Sequence, residues 1–190
     1  MGHDLSMILS WFAKGSNPDI APSGPTLPTV KFDASRVTEA VKADLWTSIQ
    51  EFEDLPAGEE EAIYEAALRS ISKGRALNIL SDALTGMEVP KGRAAEIAIL
   101  LNNRATAMMA ADRQLALGIT EGIWRYSGAP CLSGRPQSDA DRRRDEAHKS
   151  ANGKRYQLAQ GLLIEGRLTH PGREPGCKCF SKPIIRGFDD

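Results

Sequence analysis

The chain has few cysteines, few aromatic residues and no long apolar run, and each shortage excludes a class of protein. Its three cysteines, Cys131, Cys177 and Cys179, are an odd number, which excludes a complete disulfide framework. No stretch approaches the ~20 apolar residues of a membrane-spanning helix, and the N-terminus lacks the basic and apolar regions of a secretory leader. A formal net charge of −1 gives no bulk attraction to DNA or to acidic membranes. We therefore expect a soluble protein, made where thiols stay reduced, with no membrane partner.

The sequence pattern divides the 190 residues into three regions. Residues 1–30 predict a short amphipathic helix followed by an arm that holds four prolines and two glycines. Residues 31–122 have helical periodicity, whereas residues 123–190 predict short strands, one polar helix and an Asn-Gly turn. The expected fold class is α+β: a mainly helical N-terminal two-thirds with a long helix, then a small antiparallel α+β unit at the C-terminus.

Apolar spacing and capping residues predict the bounds of the helices. The first is expected over residues 33–54, with Asp33 or Ser35 as its cap. The second ends at Gly74, which is placed as a C-cap, and the third stops around Gly86. From about residue 92 onward, a proline-free run rich in Ala, Leu, Ile and Met predicts one helix of roughly 25 residues or more.

The last third of the chain carries motifs in a distinctive order. A Trp-containing strand, ITEGIWRYSG, is followed by RRRDEAHKSANGKRY, then by THPGREPGCKC and by FSKPII. This order resembles that of the phage Mu F-like minor head family, which is related to the SPP1-type head-morphogenesis proteins. The residues that carry the resemblance are Trp124, His148, Gly153, Lys154, Pro171, Gly172, Cys177 and Cys179. Cys-Lys-Cys stands where the family has Cys-Arg-Cys, and the part before residue 90 has no counterpart in the family.

The resemblance implies a virion structural protein that acts in head morphogenesis. Such a protein is expected in few copies inside the capsid or at the portal vertex, assembled in the host cytoplasm. There it would aid assembly, DNA packaging or DNA delivery. Its expected partners are portal and capsid proteins, with packaged DNA as a further, non-specific contact.

The alternative is a toxin-like or nucleic-acid-processing enzyme with a Cys/His site. A nucleophilic pair could be drawn from Cys131 or Cys177 with His148 or His170. The sequence has no Walker loop, no dinucleotide fingerprint and no HExxH motif, and nothing marks an activated thiolate. We therefore expect no enzymatic activity and no catalytic residue.

The same side chains raise the question of a metal. Zinc takes four ligands in a tetrahedron, and five candidates lie close together in sequence: Cys131, His148, His170, Cys177 and Cys179. The Cys-x-Cys spacing differs from the usual Cys-x₂-Cys knuckle, and a second knuckle is missing. The spacing therefore favours a protein without metal or cofactor, in which buried thiols and a hydrogen-bonded histidine hold the small sheet together. A structural zinc is the alternative.

A basic run could contact phosphates, because such contacts require only clustered cations. Its members are Arg142, Arg143, Arg144, Lys154 and Arg155. Four acids are interleaved with this run: Asp139, Asp141, Asp145 and Glu146. This alternation of charge favours a solvated helix face whose acids balance its cations.

Overall fold

Four helices precede a small β unit that contains a fifth helix. The computed structural model describes residues 34–133 and 138–187, so the predicted helix and arm of residues 1–30 lie outside the described residues. After a 3₁₀ turn at Ala34–Arg36 come α1 (Glu39–Gln50), α2 (Glu60–Ser72), α3 (Leu77–Gly86) and α4 (Lys91–Ala116). The remaining elements are β1 (Glu121–Arg125), α5 (Asp139–Ala151), β2 (Arg155–Gln157), β3 (Leu162–Ile164), β4 (Arg167–Thr169) and β5 (Phe180–Pro183). The α+β class is confirmed. Among the described residues, no helix is long and apolar enough to cross a membrane.

Most helix bounds follow the local signals in the sequence. The 26-residue helix α4 confirms the long proline-free helix, and α3 ends at Gly86 as predicted. Gly74 takes a positive φ of 76° directly after α2, the conformation expected of a terminating glycine. The start of α1 was predicted wrongly, because Thr38 caps it instead of Asp33 or Ser35. The Thr38 hydroxyl accepts a hydrogen bond from the Val41 N–H at 3.3 Å.

The helices α1 to α4 enclose the larger of two apolar cores. Helix α4 packs against each of the other three. The fully buried large side chains of this core are Val41, Leu45, Ile49, Ile63, Ile71, Leu80, Leu84, Ile97 and Leu101. Burying each such side chain stabilises a fold by about 1.5–3 kcal/mol. The helical layer therefore holds most of the apolar burial of the chain.

A three-stranded antiparallel sheet, ordered β2-β1-β5, follows the helices, and β3 pairs with β4 in a separate hairpin. On the central strand β1, Gly122 lies opposite Tyr156 on one side and Pro183 on the other. A Cβ atom at Gly122 would lie 2.6 Å from the Ser181 hydroxyl and 3.2 Å from the Leu158 side chain. A larger residue at this position would therefore force the Ser181 and Leu158 side chains to move.

The second core lies under this sheet and is small. Its buried members are Trp124, Cys131, Ala151, Cys177 and Cys179. Trp124 is its largest side chain, and the partly buried Tyr126, Leu162 and Ile164 pack against it. Apolar burial in this unit is therefore much weaker than in the helical layer, so another interaction must contribute if the unit is to be stable.

One loop ties the small unit to the helices. The Arg104 side chain of α4 donates to the Arg173 carbonyl oxygen at 3.0 Å and to Glu51 at 2.6 Å. The Arg173 guanidinium in turn pairs with Asp44 of α1. These contacts fix the loop that begins at His170, and this loop leads directly into Cys177.

Candidate metal centre

Four side chains from three separate segments meet in the small unit. Cys131 follows β1, His148 lies on α5, and Cys177 with Cys179 immediately precedes β5. One ligand atom from each of the four lies within 4.8 Å of every other. The sulfur atoms of Cys131 and Cys179 are 3.7 Å apart, and the Cys179 sulfur lies 3.8 Å from the His148 Nδ1. The three cysteines are free thiols.

These separations fit a single metal ion. A tetrahedral site with metal–sulfur bonds of about 2.3 Å has ligand-to-ligand edges of about 3.8 Å. The Cys131–Cys179 and Cys179–His148 separations, 3.7 and 3.8 Å, match that edge length. The Cys₃His group could therefore hold a metal ion.

The site is closed to solvent. The exposed fractions are 0% for Cys131, 1% for His148, and 5% each for Cys177 and Cys179. All four positions of a tetrahedron would be filled by protein ligands, so neither water nor a substrate would have a position at the ion.

Helix α5 holds the segment that carries Cys131. An oxygen of the Asp145 carboxylate accepts hydrogen bonds from the Cys131 N–H and from the Tyr126 hydroxyl, both at 2.8 Å. Burial raises the pKa of Tyr126 to about 12, and its bond to Asp145 adds to this effect, so the hydroxyl remains a donor at neutral pH. For Asp145, burial acts to raise the pKa, but the hydrogen bonds from the Cys131 N–H, Lys149 and Tyr126 outweigh it. The net result is a pKa below the ordinary value of an aspartate.

Asp141 joins the same segment to the start of α5. Its carboxylate accepts from the Ser133 N–H at 3.1 Å and from the Ser133 hydroxyl at 2.6 Å. It also forms a reciprocal capping box with Ser138, whose hydroxyl accepts from the Asp141 N–H at 3.0 Å. The bonds from Ser133, with those from Ser138, hold the pKa of Asp141 far below its usual range against the effect of burial.

The expectation that these acids lie on a solvated helix face is wrong for two of them. Asp141 is 3% exposed and Asp145 is 5% exposed. Both lie on the buried side of α5, where His148 also lies. The spacing of these three residues, at i, i+4 and i+7, is the signal in the sequence that could have identified this face.

His148 packs against the central strand of the sheet. Its ring lies edge-on to Trp124, with the ring centroids 5.2 Å apart. The backbone N–H of Trp124 donates to the Lys154 carbonyl oxygen at 2.9 Å, and the backbone N–H of Gly153 donates to the Trp124 carbonyl oxygen at 2.8 Å. Gly153 adopts a φ of 85°, which glycine reaches without strain. Through these hydrogen bonds, the Asn-Gly turn after α5 holds the end of that helix against β1.

The Pro-Gly loop supports the other two cysteines. The Gly172 N–H donates to the Cys177 sulfur at 3.3 Å, a contact that orients this ligand atom. Gly176 has a φ of 68°, and a Cβ there would overlap the carbonyl oxygen of Leu132, next to Cys131. The two cysteine segments are thus in close backbone contact.

The four ligand groups share charge. Hydrogen bonds from Cys177 and Cys179 lower the pKa of Cys131, whereas the pKa of Cys179 is raised by its bonds to Cys131 and Cys177. Burial lowers the pKa of His148, but its contacts with the sulfurs of Cys131 and Cys177 outweigh burial and raise it to about 9. The four side chains are therefore close enough to influence one another's ionisation.

The fifth candidate ligand, His170, is not part of the cluster. Its Nε2 lies 2.8 Å from the Leu158 carbonyl oxygen, to which it donates. His170 is therefore not a ligand in this cluster, and its place in the candidate zinc set was predicted wrongly. His170 instead fixes the chain that follows β2, as expected of a hydrogen-bonded structural histidine.

The structure distributes the candidate phosphate contacts over two elements. On α5, Arg142 pairs with Asp139, and Arg143 is exposed. Arg144 is turned inward, where it pairs with Asp141. Lys154 and Arg155 are exposed at the start of β2.

Comparisons of this chain with models of known protein families, with curated proteins and with solved structures found no match. The resemblance to the Mu F-like minor head family therefore rests on the order of the sequence motifs.

Proposed function

We propose that this protein is a phage minor head protein whose C-terminal unit folds around one structural zinc ion. In this proposal it is a structural component of the virion, located inside the capsid or at the portal vertex. Its partners are portal and capsid proteins, and it acts in head assembly and in DNA packaging or delivery. The observation that carries the proposal is the closed Cys₃His cluster of Cys131, His148, Cys177 and Cys179.

The donor set favours zinc over other cations. Thiolate and imidazole ligands in a tetrahedron suit zinc, whereas calcium and magnesium take oxygen ligands. A bound zinc would offset two of the three negative charges on the sulfurs and cross-link three segments of the chain. It would supply the stabilisation that the small apolar core lacks. The sequence favoured packed thiols without metal, and the geometry favours the zinc alternative instead.

The burial of the site supports a structural role. Catalytic zinc sites keep one position open for water or substrate, whereas structural sites have four protein ligands. The Cys/His enzyme alternative would also need a thiol that a substrate can reach. Cys131 is 0% exposed, and Cys177 is buried. Neither pairing of the cysteines with His148 therefore favours an enzyme.

The motif residues behave as one structural unit, which supports the resemblance. Trp124 packs on His148, and the Gly153–Lys154 turn bonds to the backbone of Trp124. Gly172 donates to Cys177, and Pro171 is buried beside it. The residues that define the family pattern therefore all serve to build the site or the strand beneath it.

Metal analysis tests the zinc. Protein purified in buffers without added metal should contain about one equivalent of zinc, because four preformed ligands bind tightly at neutral pH. Cobalt exchanged into the site should give the thiolate charge-transfer and visible bands of tetrahedral coordination. Protein that is free of metal and does not take up zinc on titration would contradict this part of the proposal.

Mass spectrometry of purified phage particles tests the location. The chain should be found in heads or procapsids at low copy number relative to the major capsid protein. Host proteins of similar abundance in the lysate serve as the control for contamination. Absence from both particles would contradict the minor head function and leave the zinc result unaffected.

A further inference from the structure

The outer face of the three-stranded sheet carries cations that lie far apart in the sequence. Side chains alternate between the two faces of a strand. On β1, Gly122 and Trp124 are buried, whereas Arg125 is exposed on the opposite face. In register with this outer face, Arg155 and Lys182 flank Ile123 on either side, and Phe180 lies opposite Arg125.

This face is open and positively charged. Arg125, Arg155 and Lys182 are exposed, and Phe180 is 53% exposed. Within the described ranges 34–133 and 138–187, neither Arg125 nor Arg155 has an ion-pair partner. The acidic residue on the same face of the sheet is Glu121, at the far end of β1.

Glu121 and two of the arginines on α5 already have partners within the small unit. The Glu121 carboxylate accepts a hydrogen bond from the Gln157 side chain at 3.1 Å. On α5, Arg142 and Arg144 pair with Asp139 and Asp141 respectively. The outer face of the sheet is therefore a cationic surface of the small unit, and it includes Arg155 of the predicted phosphate contacts.

We propose that this outer face binds single-stranded nucleic acid. Adjacent strands lie about 4.8 Å apart, so Arg155 and Lys182 are separated by about 10 Å across the sheet and can contact neighbouring phosphates of an extended strand. The exposed ring of Phe180 beside Arg125 offers a surface on which an unpaired base can stack. Flat antiparallel sheets with exposed aromatic and basic residues bind single strands in this way.

The proposal favours a single strand over a duplex. Stacking on Phe180 requires a base that is free of its partner, and the face presents no helix that could enter a major groove. Phosphate contacts confer no sequence preference, so binding should be largely independent of base composition. The inference does not depend on the location of the protein in a particle, since it rests on the sheet alone.

Fluorescence anisotropy with a fluorescein-labelled oligodeoxythymidine of about 20 nucleotides tests the proposal. For three phosphate contacts, the logarithm of the association constant should fall with the logarithm of salt concentration with a slope of about −2. Arg125→Ala and Arg155→Ala should each reduce the magnitude of that slope by about 0.7. Phe180→Ala should weaken binding roughly 5- to 100-fold and leave the slope unchanged, because stacking releases no counterions.

The matched control is Arg143→Ala, which removes an exposed cation from α5. It should bind as the wild type does, and zinc content should be equal in all four variants, which shows that they are folded. Wild-type protein that fails to bind, or an Arg125→Glu/Arg155→Glu double variant that binds as tightly as wild type, would overturn the proposal. A duplex of the same length that binds as well as the single strand would overturn the role of Phe180.

Discussion

Removal of zinc should unfold the small C-terminal unit and leave the helical layer folded. The reason is the difference between the two cores. The helical core buries nine large aliphatic side chains almost completely, whereas the fully buried large apolar side chains of the small unit are Trp124 and Leu158. At about 1.5–3 kcal/mol for each large side chain, apolar burial therefore stabilises the small unit much less than the helical layer.

The metal would dominate the stability of this unit. Structural zinc sites contribute an apparent free energy of about 10–16 kcal/mol at neutral pH. Whole domains are stable by only about 5–15 kcal/mol. The free energy lost with the ion should therefore exceed the stability that the remaining contacts of the small unit provide. Unfolding should then occur in two separate steps.

Trp124 reports on the small unit, because its side chain is 0% exposed and packs against His148. In a variant with Trp11→Phe and Trp46→Phe, a strong zinc chelator should shift the Trp124 emission to the red. Circular dichroism should retain the helical signal of α1 to α4. A slow return of the buried emission on addition of zinc, but not of magnesium, would identify the metal as the cause.

Two histidine variants make the test specific. His148→Gln should lose stoichiometric zinc and show the red-shifted emission without chelator. His170→Gln should keep one equivalent, because its Nε2 donates to the Leu158 carbonyl oxygen and faces no metal. Buried Trp124 emission in fully chelated protein, or equal zinc loss in the two variants, would refute the reasoning.

Two further predictions concern the supports of the site. Asp141→Asn should lower the free energy of unfolding of the small unit by about 1–3 kcal/mol at pH 7, because its charged hydrogen bonds are lost. The matched variant Asp139→Asn, at an exposed position on the same helical turn, should change it by less than about 0.5 kcal/mol. The pKa of Asp141 is depressed in the fold, so its stabilisation is fully present above the unfolded value of about 4, and in urea titrations it should decline as the pH falls from there through the lower folded value. Gly176→Ala should abolish zinc retention because a Cβ would overlap Leu132, whereas Gly166→Ala, with a similar φ of 79° and open space, should keep the zinc and cost about 1 kcal/mol.

The fold was largely predictable because its helices follow local rules. The long run without proline predicted α4, and Gly74 ends α2 where expected. Helix α3 ends at Gly86 as predicted, but the residue with a positive φ after it is Glu88. The start of α1 was not predictable from the chain alone, since Asp33, Ser35 and Thr38 are all good caps. A long-range contact favours the third, because the Thr38 hydroxyl also donates to Asp112 on α4.

The site was predictable in its residue types but not in its assembly. Cys131, Cys177, Cys179 and His148 were candidate ligands, yet His170 was an equally good candidate by type and spacing. The choice depends on which histidine α5 and β1 bring against the sulfurs, and that follows from tertiary packing. Asp141 and Asp145 were misjudged for a related reason, because a helix with alternating charges conceals two buried carboxylates among exposed ones.

The distances along the chain between the four ligands bear on how quickly the small unit can form. Cys131 and Cys179 are separated by 48 positions, and His148 and Cys179 by 31. Contacts of such long sequence separation form late, after the local contacts of a helical layer. Helices α1 to α4 should therefore assemble within the first kinetic phase, with the small unit closing in a second phase whose rate rises with free zinc. Newly made chains in a metal-poor cell would accumulate as half-folded intermediates with an exposed Trp124. Under those conditions, metal supply rather than chain synthesis would limit the amount of competent protein.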